Sequence, residues 1–179
     1  MRALIRFASI ADRLSAASAR LATAAVLLAV LISAGNATSR YALGLTSNAW
    51  LEVQWYLFAA IALLGAAETL KRGAHVRVDL LYVLAGERGR LAIDLFGLVV
   101  FLLPGMILLG WLSWPFFWES WIRNEFSNNP GGLYRWPVKA LLPLGFALVA
   151  LQGLAELAKR IAALAGAYRL DTTYNRLLQ

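Results

Sequence analysis

The chain has 179 residues, 60% of them hydrophobic and 15% charged, with a mean hydropathy of +0.63. That is too much apolar surface for one small water-soluble core. Its 17 Lys and Arg against 10 Asp and Glu give a net charge of +7, and the absence of cysteine excludes disulfides, thiol catalysis and cysteine-ligated metals. Four apolar stretches, 21–39, 50–70, 91–118 and 138–163, each supply the roughly 20 residues needed to cross about 30 Å of hydrocarbon. None shows the alternation of barrel strands, and a helix satisfies its own backbone in lipid. The composition predicts an all-α membrane protein whose four transmembrane helices form one domain, 20–163.

Residues 1–19 precede the first span. Arg6, Arg13 and Arg20 recur every seven residues, Arg2 lies one turn before Arg6, and Leu4, Phe7, Ala8, Ala11 and Leu14 fill much of the remaining surface. The pattern predicts a basic amphipathic helix lying in the cytoplasmic interface, arginines toward the headgroups. An ordinary basic flank without fixed structure is the alternative. The apolar run that follows exceeds a signal-peptide core and reads as a retained span, with cleavage near Ser33-Ala34-Gly35 as the competing reading.

The second span opens at Trp50 and carries Glu52, Gln54 and Glu68 near its ends, with Trp50, Trp55 and Tyr56 as an interfacial aromatic cluster. The most polar segment runs from Lys71 to Asp79, and Asp79 is placed to cap a short helix over 80–85. A kink is expected in the third span at Pro104-Gly105. That span ends among Trp111, Trp114, Phe116, Phe117, Trp118 and Trp121, and a polar turn follows over 124–132. Trp136-Pro137-Val138-Lys139 opens the fourth span, Pro143 and Gly145 lie a turn further in, and 164–179 reads as a cytoplasmic tail.

The basic residues set the expected orientation. Four lie at the N-terminal side of the first span, five over 71–90 and four from Lys159 onward; only Arg40, Arg123, Arg135 and Lys139 fall in the other two connections. Basic flanks stay on the cytoplasmic side, so both termini are predicted inside. The same charges suit an anionic leaflet. No basic stripe is interleaved with exposed aromatics, and no nucleic-acid partner is expected.

The residues offer little chemistry of their own. His75, the single histidine, and Asp79 are four residues apart, and two ligands are too few for a zinc site. Glu52, Glu68, Asp94 and Glu156 lie within a turn or two of span boundaries rather than at the midplane, where secondary transporters hold their ions. Asp94 and Glu156 read as simple boundary acids, and Glu52 as a subunit-contact candidate. No nucleophile elbow or phosphate-binding glycine loop occurs. Neither an enzymatic activity nor a cofactor is expected.

One stretch is more specific. Trp50 and Glu52 open a helix that carries Gly65-Ala66-Ala67 and runs into Arg72-Gly73-x-His75-Val76-x-Val78-Asp79. This resembles the small permease subunit of tripartite ATP-independent periplasmic (TRAP) transporters. The fourth span adds to the likeness with Pro137, Lys139 and Leu142-Pro143-Leu144-Gly145-Phe146, so the resemblance covers about 20–163. It implies a multi-pass protein of the bacterial inner membrane without a cofactor. It also implies a large permease subunit holding the substrate and ion sites, and a periplasmic binding protein delivering carboxylate-type solutes. Uptake in the family is driven by an ion gradient, commonly sodium. The small subunit enlarges the stationary scaffold against which the large one moves. On that reading Gly65, Ala66, Gly97, Gly145 and Gly153 are helix-packing positions, either within the bundle or toward the partner. The outer residues Glu52, Glu119 and Arg123 face the binding protein. Two other classes compete: a self-contained oligomeric four-helix transporter, and a membrane anchor for a redox complex.

Overall fold

The computed structural model describes residues 1–45, 47–73, 85–166 and 168. In chain order it contains α1 (Arg2–Leu43), α2 (Asn48–Lys71), α3 (Glu87–Phe96), a π-helical stretch (Gly97–Leu102), α4 (Leu103–Ile122) and α5 (Trp136–Leu164). The third to fifth of these elements form one continuous rod. Four helices are long and apolar enough to cross a membrane, the rod counting from Arg88 to Ile122. Extended pairing among the described residues is limited to a single bridge between Phe126 and Tyr134. The expected all-α architecture of four spans is therefore present, with boundaries within about four residues of the apolar stretches except at the start of the first.

The fourth span, α5, is the hub. It packs against α1 and α2, which also pack on each other, and separately against the rod, which touches α5 alone. Close approach between α5 and α2 depends on Gly145. A Cβ there would stand 2.7 Å from the Leu63 Cβ and 3.2 Å from the Leu63 carbonyl oxygen. At Gly153 a Cβ would meet the Leu102 and Leu103 side chains of the rod at 2.7 and 3.2 Å. Both glycines serve the chain's own bundle. Gly65 is looser, 3.9 Å from the Ala22 Cβ, and Gly97 has open space beside it.

The first span departs from expectation in one respect. The N-terminal residues are helical, but they do not form a separate helix ending near residue 19: α1 runs unbroken for 42 residues. Its buried residues explain why. Ala8, Ala11, Ser15, Ser18, Ala22, Ala25 and Ala29 recur at alternating steps of three and four, a heptad seam of small side chains on one face. Small residues let helices approach closely where lipid offers no hydrophobic drive between them. Ala8 and Ala11 pack with Ala155 and Leu151 of α5, so inter-helix packing holds even the first turns against the bundle. At 100° per residue, Arg6, Arg13 and Arg20 lie about 170° from the seam's midline. With Arg2 they are exposed.

The irregularity in the third span sits upstream of Pro104, which occupies the first turn of α4. Proline has no N–H to donate, and its ring crowds the carbonyl four residues back. The wider π register over Gly97–Leu102 moves that carbonyl aside without breaking the rod. Only 11% of this span's most apolar window is buried by the protein, so most of its surface faces outward, into lipid or a partner.

Candidate functional site

Polar side chains concentrate at the two ends of the bundle. One end carries the α1–α2 connection and the 123–135 loop and is called here the loop end. The other, which holds the start of α1, the end of α2 and the end of α5, is the basic end.

At the loop end, Glu52 lies in the second turn of α2 and is 4% exposed. Its carboxylate accepts hydrogen bonds from the Ser127 hydroxyl, from Asn129 Nδ2 at 2.8 Å and from the Leu133 amide at 2.7 Å. Ser127 also donates its own amide to the Leu133 carbonyl (2.9 Å), closing the loop into a ring around the acid. Two further tethers join α2 to this loop: Asn48 Nδ2 to the Pro130 carbonyl and the Tyr56 hydroxyl to the Tyr134 carbonyl, both 2.9 Å. Gly132 is required beside the carboxylate, because a Cβ there would be 2.4 Å from the Ser127 Cβ and 2.9 Å from Glu52 Oε1.

Glu52, a subunit-contact candidate from the sequence, has its carboxylate oxygens engaged inside the chain. Glu119 and Arg123, expected on the same outer surface, are exposed and pair with each other at 2.7 Å. Trp50 is half exposed at the start of α2. Lys139, in the first turn of α5, donates to Glu125 and stands 4.0 Å over the Phe116 ring. Lys139, with Arg135 nearby, holds the Glu125 carboxyl below the usual glutamate value. Pro137 occupies the first turn of α5, where its missing N–H costs no helix bond, and Pro143 lies inside the helix.

The basic end holds the larger network. Gln152, fully buried, accepts from the Ser15 hydroxyl (2.7 Å) and donates to Asp12 Oδ1 (2.9 Å) and Glu156 Oε1 (3.1 Å). Lys159 bridges Asp12 at 2.7 Å and Glu156 at 2.8 Å. Arg160 joins Glu156 at 2.7 Å to Asp94 at 3.0 Å. Lys71 reaches the Asp12 carbonyl (3.4 Å) while pairing with Glu68 at 3.0 Å. These contacts tie α1, α2, α3 and α5 together in one layer. Glu156 and Asp94 are thus not simple boundary acids; each neutralises a cation on the inward side of α5. Residue type alone did not single out Asp12, Ser15, Gln152, Lys159 or Arg160. The available signal was the spacing of Gln152, Glu156, Lys159 and Arg160 at three and four residues, which puts them on one helical face.

Arg72 caps α2 and places its Nε 2.8 Å from Glu68 Oε1. Gly73 follows at φ +62, a left-handed conformation that suits glycine and turns the chain out of the helix. Arg72-Gly73 is therefore a helix stop built on a paired cation. His75, Asp79, residues 80–84 of the expected short helix, and residues 167 and 169–179 of the expected 164–179 tail lie outside the described residues. Among those described, no group of three or more His, Cys, Asp or Glu side chains is placed to hold a metal ion.

Comparison with known proteins agrees with this architecture. No curated protein and no solved structure matches the chain. Residues 29–163, which take in the last third of α1 and nearly all of the other three spans, match the family described as tripartite ATP-independent periplasmic transporters, DctQ component. A multi-pass chain of four apolar helices that matches this family over three-quarters of its length belongs to it: it is a DctQ-type component of a TRAP transporter.

Proposed function

We propose that this chain is the stationary scaffold subunit of a secondary-active TRAP transporter in a bacterial inner membrane, with both termini cytoplasmic. It works with a large permease subunit that carries the substrate and ion sites. A periplasmic binding protein delivers carboxylate-type solutes, and an ion gradient, commonly of sodium, drives their uptake. The observation that carries the scaffold reading is the pairing of buried charge. Glu52, Glu68, Glu156 and Lys159, all less than a tenth exposed, each have protein partners, in the 123–135 loop for Glu52 and on helices for the other three. Charges locked at both ends of a bundle resist relative motion of its helices, which suits a fixed platform. The Arg72-to-Asp79 motif is assigned to the cytoplasmic surface, where it anchors the platform together with the arginines of α1.

Purification in mild detergent from the native host tests the assignment. Recovery with a much larger multi-spanning protein, and solute uptake by vesicles that requires both subunits and the binding protein, are the expected results. Recovery solely as a homo-oligomer that transports by itself would favour the self-contained transporter and overturn the scaffold.

A further inference from the structure

A shallow crease runs along the α1–α2 contact on the side away from α5, lined by Ala22, Thr23 and Val26 of α1 and by Ile61, Gly65 and Arg72 of α2. Its floor is narrow because the helices nearly touch at Ala22 and Gly65. Chemically it is one-sided. Val26 and Ile61 form the deep end, and Arg72 and Glu68 stand at the mouth, at the basic end. The two hydroxyls along the wall are satisfied locally: Thr23 donates to the Ala19 carbonyl at 2.9 Å and Thr69 to the Gly65 carbonyl at 3.0 Å. The wall therefore presents methyl groups rather than open donors.

Length and charge both point to one occupant. From Ile61 to Arg72 the crease measures about 16 Å at 1.5 Å per residue, against about 15 Å for one leaflet's share of the hydrocarbon. Arg72 spends its Nε on Glu68, and its side chain is 72% exposed. Among the described residues its two terminal Nη groups have no partner, and a planar guanidinium with free N–H groups matches phosphate oxygens. A crease between helices this close admits an acyl chain, whereas a helix about 10 Å across straddles it.

We infer that the α1–α2 crease is a phospholipid site: one acyl chain lies between Thr23–Val26 and Ile61–Gly65, and the phosphate is held by Arg72. The site requires only that the chain sits in a membrane, so it stands or falls separately from the scaffold reading.

The test uses the full-length chain in nanodiscs of phosphatidylcholine doped with phosphatidylglycerol that carries a photoreactive acyl tail. Cross-linked peptides are mapped, and retained lipid is counted by native mass spectrometry. Labelling is expected to concentrate on 19–26 and 61–72, with one phosphatidylglycerol retained. Thr23→Phe, at an exposed position, should fill the crease and abolish that labelling; Val26→Phe serves if the first variant folds poorly. Arg72→Ala should lower retention of phosphatidylglycerol about tenfold, the scale of one charge-assisted contact, with Arg72→Lys between the two and Arg123→Ala, at the loop end, unchanged. Free inorganic phosphate should not compete. Labelling spread evenly over the four spans, or unaltered by the filling variants, overturns the site. Loss of labelling when the large permease is co-expressed also overturns it, because the crease would then seat a partner helix.

Discussion

At the residue scale, the acid at position 52 is tolerated because three donors converge on it from residues 75, 77 and 81 positions away. Replacing it with Gln keeps the shape but turns one acceptor oxygen into a donor facing other donors. Glu52→Gln is therefore expected to lower the melting temperature by a few degrees and to speed hydrogen exchange at the Leu133 amide; unchanged exchange there would refute the tether. Glu125 makes a second prediction. Its folded pKa is depressed chiefly by the hydrogen bond and charge of Lys139, so the stabilisation is fully present above the ordinary glutamate value, about 4.3, and is lost as pH falls through the lower folded value. Glu125→Gln should flatten the acid limb of melting temperature against pH, and parallel limbs would contradict it. Sequence drew attention to Glu52 but not to its role. Its partners lie in a distant loop, and one of them is a backbone amide that no residue type reveals.

At the scale of elements, Gly145 fixes how closely α5 and α2 approach. Since the nearest atoms include the Leu63 carbonyl, the contact has little room to relax. Gly145→Ala should destabilise the bundle by about 1–3 kcal/mol, the usual cost of overpacking, read from thermal unfolding in detergent; a neutral result would mean that α2 shifts freely. A double-mutant cycle on Asp12→Asn and Lys159→Met should give a coupling energy of about 0.5–3 kcal/mol, whereas additivity would show that α1 and α5 are joined by the seam alone. The spans were legible because hydropathy marks them regardless of packing. The seam on α1 was not, since alanines and serines inside an apolar run give no contrast. The arginine period of seven was the visible shadow of the same heptad, read from its outer face. The register change at Gly97–Leu102 was equally hidden, because the proline is visible in sequence but the turn that yields to it is not.

For the whole molecule, two clamped ends and a central α5 leave the α3–α4 rod as the least embraced span. Its exposed Phe101, Trp111 and Trp114 make it the face most open to lipid or a partner subunit. The arginines of α1 point away from the seam, so Arg6→Ala with Arg13→Ala should leave unfolding of the bundle within about 0.5 kcal/mol of the parent. Their loss removes about 1 kcal/mol of surface attraction each. Transport by the assembled complex should fall while insertion persists, and wild-type uptake would count against an anchoring role. The unbroken course of α1 has a mechanical consequence. The helix is about 63 Å long, twice the roughly 30 Å of hydrocarbon, and Asp12 is tied to Lys159, so span and N-terminal arm pivot as one body. A tilt of about 10° carries the two ends of a helix this long sideways relative to each other by about 11 Å. Bilayer thickness, which adjusts the tilt of spans, is thereby converted into lateral travel of a charged lever at the membrane surface.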